Sequence, residues 1–433
     1  MGKKTVLVAG CGHGGLSAAY ILAKNGYEVK VFEKKNYDEL GYDWHDVIYK
    51  PDFDSLEIDL TAGEGELLPF YDAAYTNPKQ SVKLVVEQNG SSTLYCADRR
   101  FLLKRLADTA ANAGAEINYG VSVTGAVVKN SEVKGISTDK GDFYGDLVID
   151  SAGIDSPVRA SLPASWGIMN EIPESATFYT YRAYFENLTG EVSSPPQTIY
   201  FYHCGKKGMD WSVTDEKFID VLVGRFYPFG EDDAIEAIED VRKSIPFMGE
   251  KIVRGGSFEK IPLRLSLPLF VWNGYAAVGD SACMTDPLSG SGINNSVKAG
   301  AMLAETVMGA RSGRLTLETL WKYQYDYLTK HAKNKYSPEI TRKMLTALSA
   351  DDIDYFFEKK ILTERELGSG GKADYTASET IGRALAFIPK LNLLPAMAGV
   401  PYKNNIAAKS KKLLPEKYSY DAYMKWRKEY EKI

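Results

Sequence analysis

Only four cysteines and four histidines occur among the 433 residues. Cys11, Cys96, Cys204 and Cys283 form no CxxC pair and follow no regular spacing, which argues against a metal cluster or a disulfide framework. No stretch approaches the ~18 consecutive apolar residues of a membrane-spanning helix. Excess positive charge is also missing: 52 Lys and Arg stand against 57 Asp and Glu, for a net charge of −5, so nucleic acid is not an expected partner. The opening MGKKTVLVAG lacks signal-peptide architecture, and a cytoplasmic location is expected. Internal repeats and low-complexity tracts are absent. What remains is a composition ordinary for globular proteins, 44% hydrophobic, 25% charged and 12% aromatic, in a chain long enough for two or three structural units.

The chain begins as a βαβ unit. Thr5 to Ala9 are a continuous apolar run suited to a parallel strand buried on both faces. LSAAYILAKNG has helical periodicity and stops at Gly26, and Glu28 to Phe32 give the second strand. From about residue 36 to 94 the pattern is irregular and aromatic, an excursion from that unit. RRFLLKRLADTAANAGAEI reads as an amphipathic helix, followed by a meander over Val121–Val128, Val133–Ser137 and Asp142–Ile149. Period-two alternation over 177–226 predicts an antiparallel sheet with one wet face, with DAIEAIEDVRKSI a helix beside it. Beyond 294 the pattern is helical. The segment 381–402 is apolar but broken by three prolines, so one long helix is not expected there; packing on the main body, closure over a cavity and rest on a membrane surface all fit it.

Two segments carry legible chemistry. Gly10-Cys11-Gly12-His13-Gly14-Gly15 supplies GxGxxG between strand and helix, where Gly10 allows the turn, Gly12 admits a pyrophosphate and Gly15 permits close helix–strand packing. The diphosphate would sit on the helix N-terminus, with His13 as a solvent-side spacer of the loop. Glu33 ends the second strand, where a carboxylate accepts hydrogen bonds from an adenosine ribose. Much later, Gly279-Asp280 follows the apolar YAAV, placing Asp280 to bond a ribityl hydroxyl. Pro287-Leu288-Ser289-Gly290-Ser291-Gly292-Ile293 is a Gly-rich loop opening a helix, whose N-terminus favours the negative charge that gathers on a flavin's pyrimidine edge. A third segment, DSAGIDSPVR at 150–159, has no reading from spacing physics alone.

Together these segments resemble the single-FAD superfamily of aromatic hydroxylases, flavin-dependent halogenases and geranylgeranyl reductases. The resemblance covers roughly 4–36, 95–160 and 260–330, and is nearest the geranylgeranyl reductase branch through its motif wording and the tail ALSADDIDYFFEKKIL. In these families a Gly-Asp pair and a P-x-x-G-x-G-I loop match 279–280 and 287–293, and Gly153 to Arg159 match a further motif, with Ala152 where many members carry Asp. The resemblance implies FAD as cofactor, with contacts from Lys34, Arg99 (Arg100 a near alternative), Val123 and Gly153 as well. It implies an α/β Rossmann-like FAD domain built from 1–40, 95–165 and 260–330. A substrate domain with an antiparallel sheet would come from 41–94 and 166–259, and a helical region from 331–433.

The resemblance further implies reduction of C=C bonds in an isoprenoid or lipid-like substrate by hydride transfer from flavin N5. The alternative is a monooxygenase or halogenase-like enzyme acting on an aromatic or polyketide-like compound; the halogenase WxWxIP signature is absent. A protein that only carries electrons to a partner is a third reading. No second GxGxxG exists for nicotinamide, so NAD(P)H or another electron donor would dock transiently. Tyr42 to Asp46 follow the second strand. His45 is the candidate proton donor there, with Asp43 or Asp46 tuning its imidazole and Trp44 a stacking wall; a loop His bonded to a neighbouring Asp is the plainer reading. Tyr200, Tyr202 and Trp211 are candidates for substrate contact, and alternation puts Tyr200 and Tyr202 on one face with Phe201 on the other. Cys204 and Cys283 read as small buried residues.

Overall fold

Thr5–Ala9 occupies the interior of a six-stranded sheet, and Val6 to Ala9 are fully buried there. The order runs Val271–Trp272, Tyr275–Ala277, Leu147–Asp150, Thr5–Ala9, Glu28–Glu33 and Glu116–Tyr119. All pairs are parallel except the first, where two short strands turn back on each other. The computed structural model describes residues 4–60, 67–87, 93–310, 313–368 and 394–433.

Helix His13–Lys24 crosses helix Ile293–Met308 on one face of this sheet. The approach is close because both carry glycine: a Cβ on Gly300 would overlap the carbonyl of Gly14. The expected meander is present as Val123–Lys129, Glu132–Thr138 and Gly141–Tyr144, its Val133 and Ile136 joining the core. Helix Arg99–Asn112 starts at Asp98, whose carboxylate caps it by accepting the N–H of Phe101 at 2.9 Å.

The second large sheet has seven strands in the order Met248–Pro262, Thr177–Asn187, Phe218–Arg225, Met209–Thr214, Gln197–Phe201, Ala73–Thr76 and Lys83–Val86. It is antiparallel but for one pair, Gln197–Phe201 with Ala73–Thr76. The early excursion thus feeds this sheet, and a smaller one of His45–Tyr49, Leu94–Asp98 and Leu67–Pro69. The wet face expected of the large sheet is not found. Helix Glu231–Ser244 buries Ala237, Ile238 and Val241 against Ala183, Phe185, Val221 and Val223, while the opposite face borders a cavity.

Helices Tyr336–Ala347 and Ala350–Glu358 lean on the end of the seven-stranded sheet, where Ile353, Phe356 and Phe357 pack with Leu84 and Tyr202. The final helix, Tyr420–Tyr430, returns to the first sheet's core: Trp426 is fully buried and the Tyr430 hydroxyl donates to Ser266 O at 2.8 Å. Of the apolar tract 381–402, residues 381–393 lie outside the described ones. The rest belongs to helix Leu394–Leu413, which contains Pro401 and gives up one backbone hydrogen bond there. Among the described residues no helix is long and apolar enough to cross a membrane.

Candidate functional site

The glycine turn is built as its spacing requires. Gly10 takes φ +85° and donates to Phe32 O at 2.8 Å, which brings the strand end back over its neighbour. Ser151 fills the space below. A Cβ on Gly12 or Gly15 would overlap its side chain, and one on Gly10 would sit 2.8 Å from its carbonyl oxygen. Gly15 N–H donates to Ser151 Oγ at 3.1 Å. Glu33 accepts from Cys11 N at 2.8 Å and Lys35 N at 2.9 Å, so its carboxylate is oriented by backbone at the rim of the turn.

The segment 150–159, opaque in sequence, is a buried knot. Asp150 is fully buried and accepts from the hydroxyls of Ser156 (2.6 Å), Tyr275 (2.9 Å) and Ser281 (3.0 Å). Gly153, at φ +88°, donates to Ser281 Oγ at 3.0 Å. Arg159, 1% exposed, donates to the carbonyls of Ser281 at 2.8 Å and of Ile154. This knot locks the 150s against the loop after Tyr275–Ala277.

That loop turns at Gly279 and places Asp280 beside Thr285, whose hydroxyl donates to it at 2.8 Å. Burial pushes the Asp280 carboxyl upward, opposed by the Thr285 hydrogen bond and by Arg99. Asp286 Oδ1 accepts the N–H groups of Leu288 and Ser289, shaping the turn that ends at Gly292. Helix Ile293–Met308 then starts with no side-chain cap, and helix His13–Lys24 starts the same way behind Gly12. Two helix N-termini with uncapped amides are ready anion sites.

One cavity of about 1840 Å³ joins these loops. It is bordered by Gly10, Gly12, His13, Gly14, Glu33, Lys34, Arg99, Val123, Gly153, Gly279, Asp280, Gly290, Ser291, Gly292 and Ile293. Gly15 and Pro287 stand behind it, the first packing on Ser151 and the second buried within the loop. His13 is not a solvent-side spacer: it is 6% exposed because the helix opens inward, and burial followed by Arg99 lowers its pKa. Among the described residues His13 Nε2 and Arg99 Nε find no hydrogen-bond partner though both are buried, and both residues border the cavity. Orphaned polar atoms of this kind, beside a glycine cradle with no room for Cβ atoms, fit an extended phosphate-containing ligand such as FAD.

Beyond the loops, charge and aromatic rings meet. Trp44 stacks on Tyr42 with centroids 4.6 Å apart, and the Arg99 guanidinium lies 4.6 Å from the Tyr42 centroid. Asp43 and Asp46 do not serve His45 as expected. Asp43 receives Arg254 at 2.8 Å and Arg100 at 3.3 Å; Asp46 receives Arg99 at 2.9 Å and Arg182 at 3.1 Å. Arginines outcompete a neutral imidazole for these carboxylates because charged, forked donors bind them more strongly. Arg182 is 4% exposed, pairs with Asp220 at 2.5 Å, and sits 5.5 Å from the rings of Trp44 and Trp211. Opposing charges around this buried guanidinium outweigh its desolvation and hold it protonated.

Trp211 and Tyr202 border the cavity, but Tyr200 does not. Its ring faces helix Glu231–Ser244 and stacks on His203 at 4.7 Å, while its neighbours Ile199 and Phe201 line the chamber. Tyr202 escapes the alternation because it leaves the strand at φ +47°. Cys204 is half-buried and itself at φ +54°, not enclosed as expected; Cys283 is buried. Sequence reasoning missed Ser151, Arg182, Tyr184 and Glu259, all at the cavity. Arg182 was detectable: an arginine within the aromatic run TFYTYRAYF, in phase with Thr180 and Tyr184, is a polar group on a face otherwise meant to be covered.

A parallel sheet with a glycine turn at one switch point and an Asp-bearing loop beside it, joined to a large antiparallel sheet across one cavity, is the Rossmann-like α/β fold with an antiparallel second sheet that the sequence leads one to expect. The sequence profile of the NAD(P)-binding Rossmann-like domain matches residues 8–58. Over a 466-residue alignment the chain is 23% identical to the digeranylgeranylglycerophospholipid reductase of Sulfolobus acidocaldarius, covering 100% of this chain and 97% of that one. Reductase 2 of that name from Methanococcoides burtonii is 25% identical over 74% of this chain and 78% of its own. Among solved structures, a geranylgeranyl bacteriochlorophyll reductase-like protein of Thermoplasma acidophilum superposes with a TM-score of 0.72 at 18% identity, over 92% of this chain and all (100%) of that one. A flavin-dependent brominase superposes at 0.62 with 15% identity, over 89% of this chain and 94% of its own, and shares the fold.

Proposed function

We propose that this protein is an FAD-dependent reductase of carbon–carbon double bonds in an isoprenoid lipid. The observation that carries the reading is the continuity of the cavity. From the glycine loops it runs into an apolar chamber walled by Phe178, Ile199, Phe201, Leu345, Ile353 and Phe356. A chamber of that lining takes a long hydrocarbon, and the whole-length similarity to the lipid reductase of Sulfolobus acidocaldarius supports the same substrate class.

In this reading the amides behind Gly12 hold the diphosphate, Glu33 and Lys34 border the adenosine ribose, and Arg99, Val123 and Gly153 flank the cofactor along its length. Asp280 takes a ribityl hydroxyl, and the N-terminus at Gly290–Ile293 faces the pyrimidine edge. Bound FAD supplies the electron pair for the reduction. Trp44, stacked on Tyr42 and flanked by Arg182, forms the wall between the two ends, and His45 lies on the proton route. Trp211 and Tyr202 border the lipid, and the chain divides into the FAD, substrate and helical regions given by the sequence boundaries. Electrons come from NAD(P)H or another donor that docks transiently. Peripheral membrane contact uses the exposed Tyr402, Tyr420 and Met424.

Anaerobic mixing of dithionite-reduced, FAD-loaded protein with geranylgeraniol in detergent micelles tests the proposal. Reoxidation of the flavin with formation of a dihydro product is expected. No reoxidation without oxygen, together with oxygen-dependent hydroxylation or halogenation of an aromatic compound, would overturn it.

A further inference from the structure

Thr180, Arg182 and Tyr184 alternate along Thr177–Asn187 and give one face to the cavity. Tyr184 is 3% exposed, and its hydroxyl oxygen accepts the backbone N–H of His45 at 2.8 Å. That bond uses a lone pair and leaves the O–H hydrogen uncommitted, with no acceptor among the described residues. A buried hydroxyl with a spare proton at the edge of an apolar chamber has a use only when a ligand arrives, because buried donors are otherwise paired.

Burial opposes the phenolate that would remain after the proton leaves, and so does Asp220 on the neighbouring strand; together they raise the Tyr184 pKa well above the ordinary tyrosine value and keep the hydroxyl protonated until it is used. Against them stand Arg182 and Arg254, with guanidinium carbons 5.6 and 5.2 Å from the ring centroid, and the His45 N–H already aimed at the oxygen. His45 itself is less suited. Arg254 Nη1 lies 3.4 Å from His45 Nδ1, so that ring nitrogen faces a guanidinium, which only donates.

Resting on the reductase reading, we infer that Tyr184 is the immediate proton donor to the alkene. One alkene carbon takes a hydrogen with its electron pair from the reduced flavin, and the π bond is consumed. The neighbouring carbon forms its C–H bond with the proton of Tyr184, whose O–H electron pair stays on oxygen as phenolate. Solvent then returns a proton to the phenolate, by way of the His45 side of the cavity.

Tyr184→Phe keeps the ring and removes one oxygen. In anaerobic single turnovers of the reduced, FAD-loaded protein with geranylgeraniol, the rate of product formation should fall about 100-fold or more. The solvent deuterium isotope effect of the wild type should vanish with it. Geranylgeraniol binding to the FAD-free protein, followed by tryptophan fluorescence, should be unchanged. An undiminished rate, an isotope effect that survives the substitution, or loss of binding in step with rate would each overturn the assignment. A second variant, Tyr184→3-fluorotyrosine, retains the donor but makes it more acidic. It should form product within about tenfold of the wild-type rate, and a rate as low as that of Tyr184→Phe would also overturn the assignment. Wild-type protein that binds geranylgeraniol yet never reoxidises would instead remove the reductase reading itself, and this assignment with it.

Discussion

Asp150 accepts a hydrogen bond from Ser281 Oγ at 3.0 Å, joining two segments separated by 131 residues. The same carboxylate takes the hydroxyls of Ser156 and Tyr275. It therefore sets the distance between the glycine turn, which rests on Ser151, and the loop that carries Asp280.

Replacing Asp150 by Ala should be costly, because the buried hydroxyls of Ser156 and Tyr275 and the Ala152 N–H lose their acceptor, while Ser281 keeps only the Gly153 carbonyl at 3.2 Å. With about 1–3 kcal/mol for each unsatisfied buried group and some relaxation, a loss of at least about 3 kcal/mol is expected. Urea unfolding of the FAD-free protein would measure it. An unchanged midpoint would contradict the knot's structural role.

Gly12→Ala should weaken FAD binding by about tenfold or more, since the new methyl overlaps Ser151 Oγ and must push the turn aside at a cost of about 1–3 kcal/mol. Gly230→Ala is the control: nothing lies within 4 Å of its Cβ position, and its φ of −112° suits any residue. Flavin fluorescence titration should separate the two variants clearly.

Stability should depend on pH through His203. Its ring lies between Asp210 (2.7 Å) and Asp240 (3.1 Å), with Cys204 beside it, Arg225 on the far side of Asp210, and Gln80 and Lys243 on Asp240. Burial alone would lower its pKa, but the hydrogen bond that its ring N–H donates to Asp210, and the charge of Asp210, prevail and raise it to about 10. A raised folded-state value means the folded protein holds the proton more tightly. The stabilisation is complete below the ordinary histidine value of about 6.5 and is lost as pH rises towards about 10. His203→Gln should flatten that part of the stability–pH curve. A slope identical to the wild type would refute the assignment.

The C-terminal helices should set how long a lipid the chamber admits. Ile353→Trp places a larger ring where Ile353, Phe356 and Leu345 close it. Selectivity for geranylgeraniol over geraniol, measured as a ratio of kcat/KM, should fall by about tenfold, because each lost methylene contact discriminates by about 1–3 kcal/mol. An unaltered ratio would place the lipid elsewhere.

The glycine turn and the loop that bears Asp280 were legible in the sequence alone. Gly10, Gly12 and Gly15, then Glu33, then Gly279-Asp280 are read by local rules: a turn that needs positive φ, a helix start that must stay open, a carboxylate at a strand end. Such rules depend on a few consecutive residues, so they survive without knowledge of the rest. The role of 150–159 was not legible, because Asp150 and Arg159 find their partners at Tyr275 and Ser281. His45 was assigned carboxylate neighbours by proximity in sequence, whereas in the fold three arginines from a helix and two strands claim Asp43 and Asp46 with a fourth at the helix start. Tyr200 and Tyr202 parted company because one backbone angle after the strand ended its alternation, and only a neighbouring helix explains which face Tyr200 prefers. Tertiary structure decided what the cavity presents to a substrate, since charge pairing and packing across distant strands are long-range interactions that local spacing does not encode.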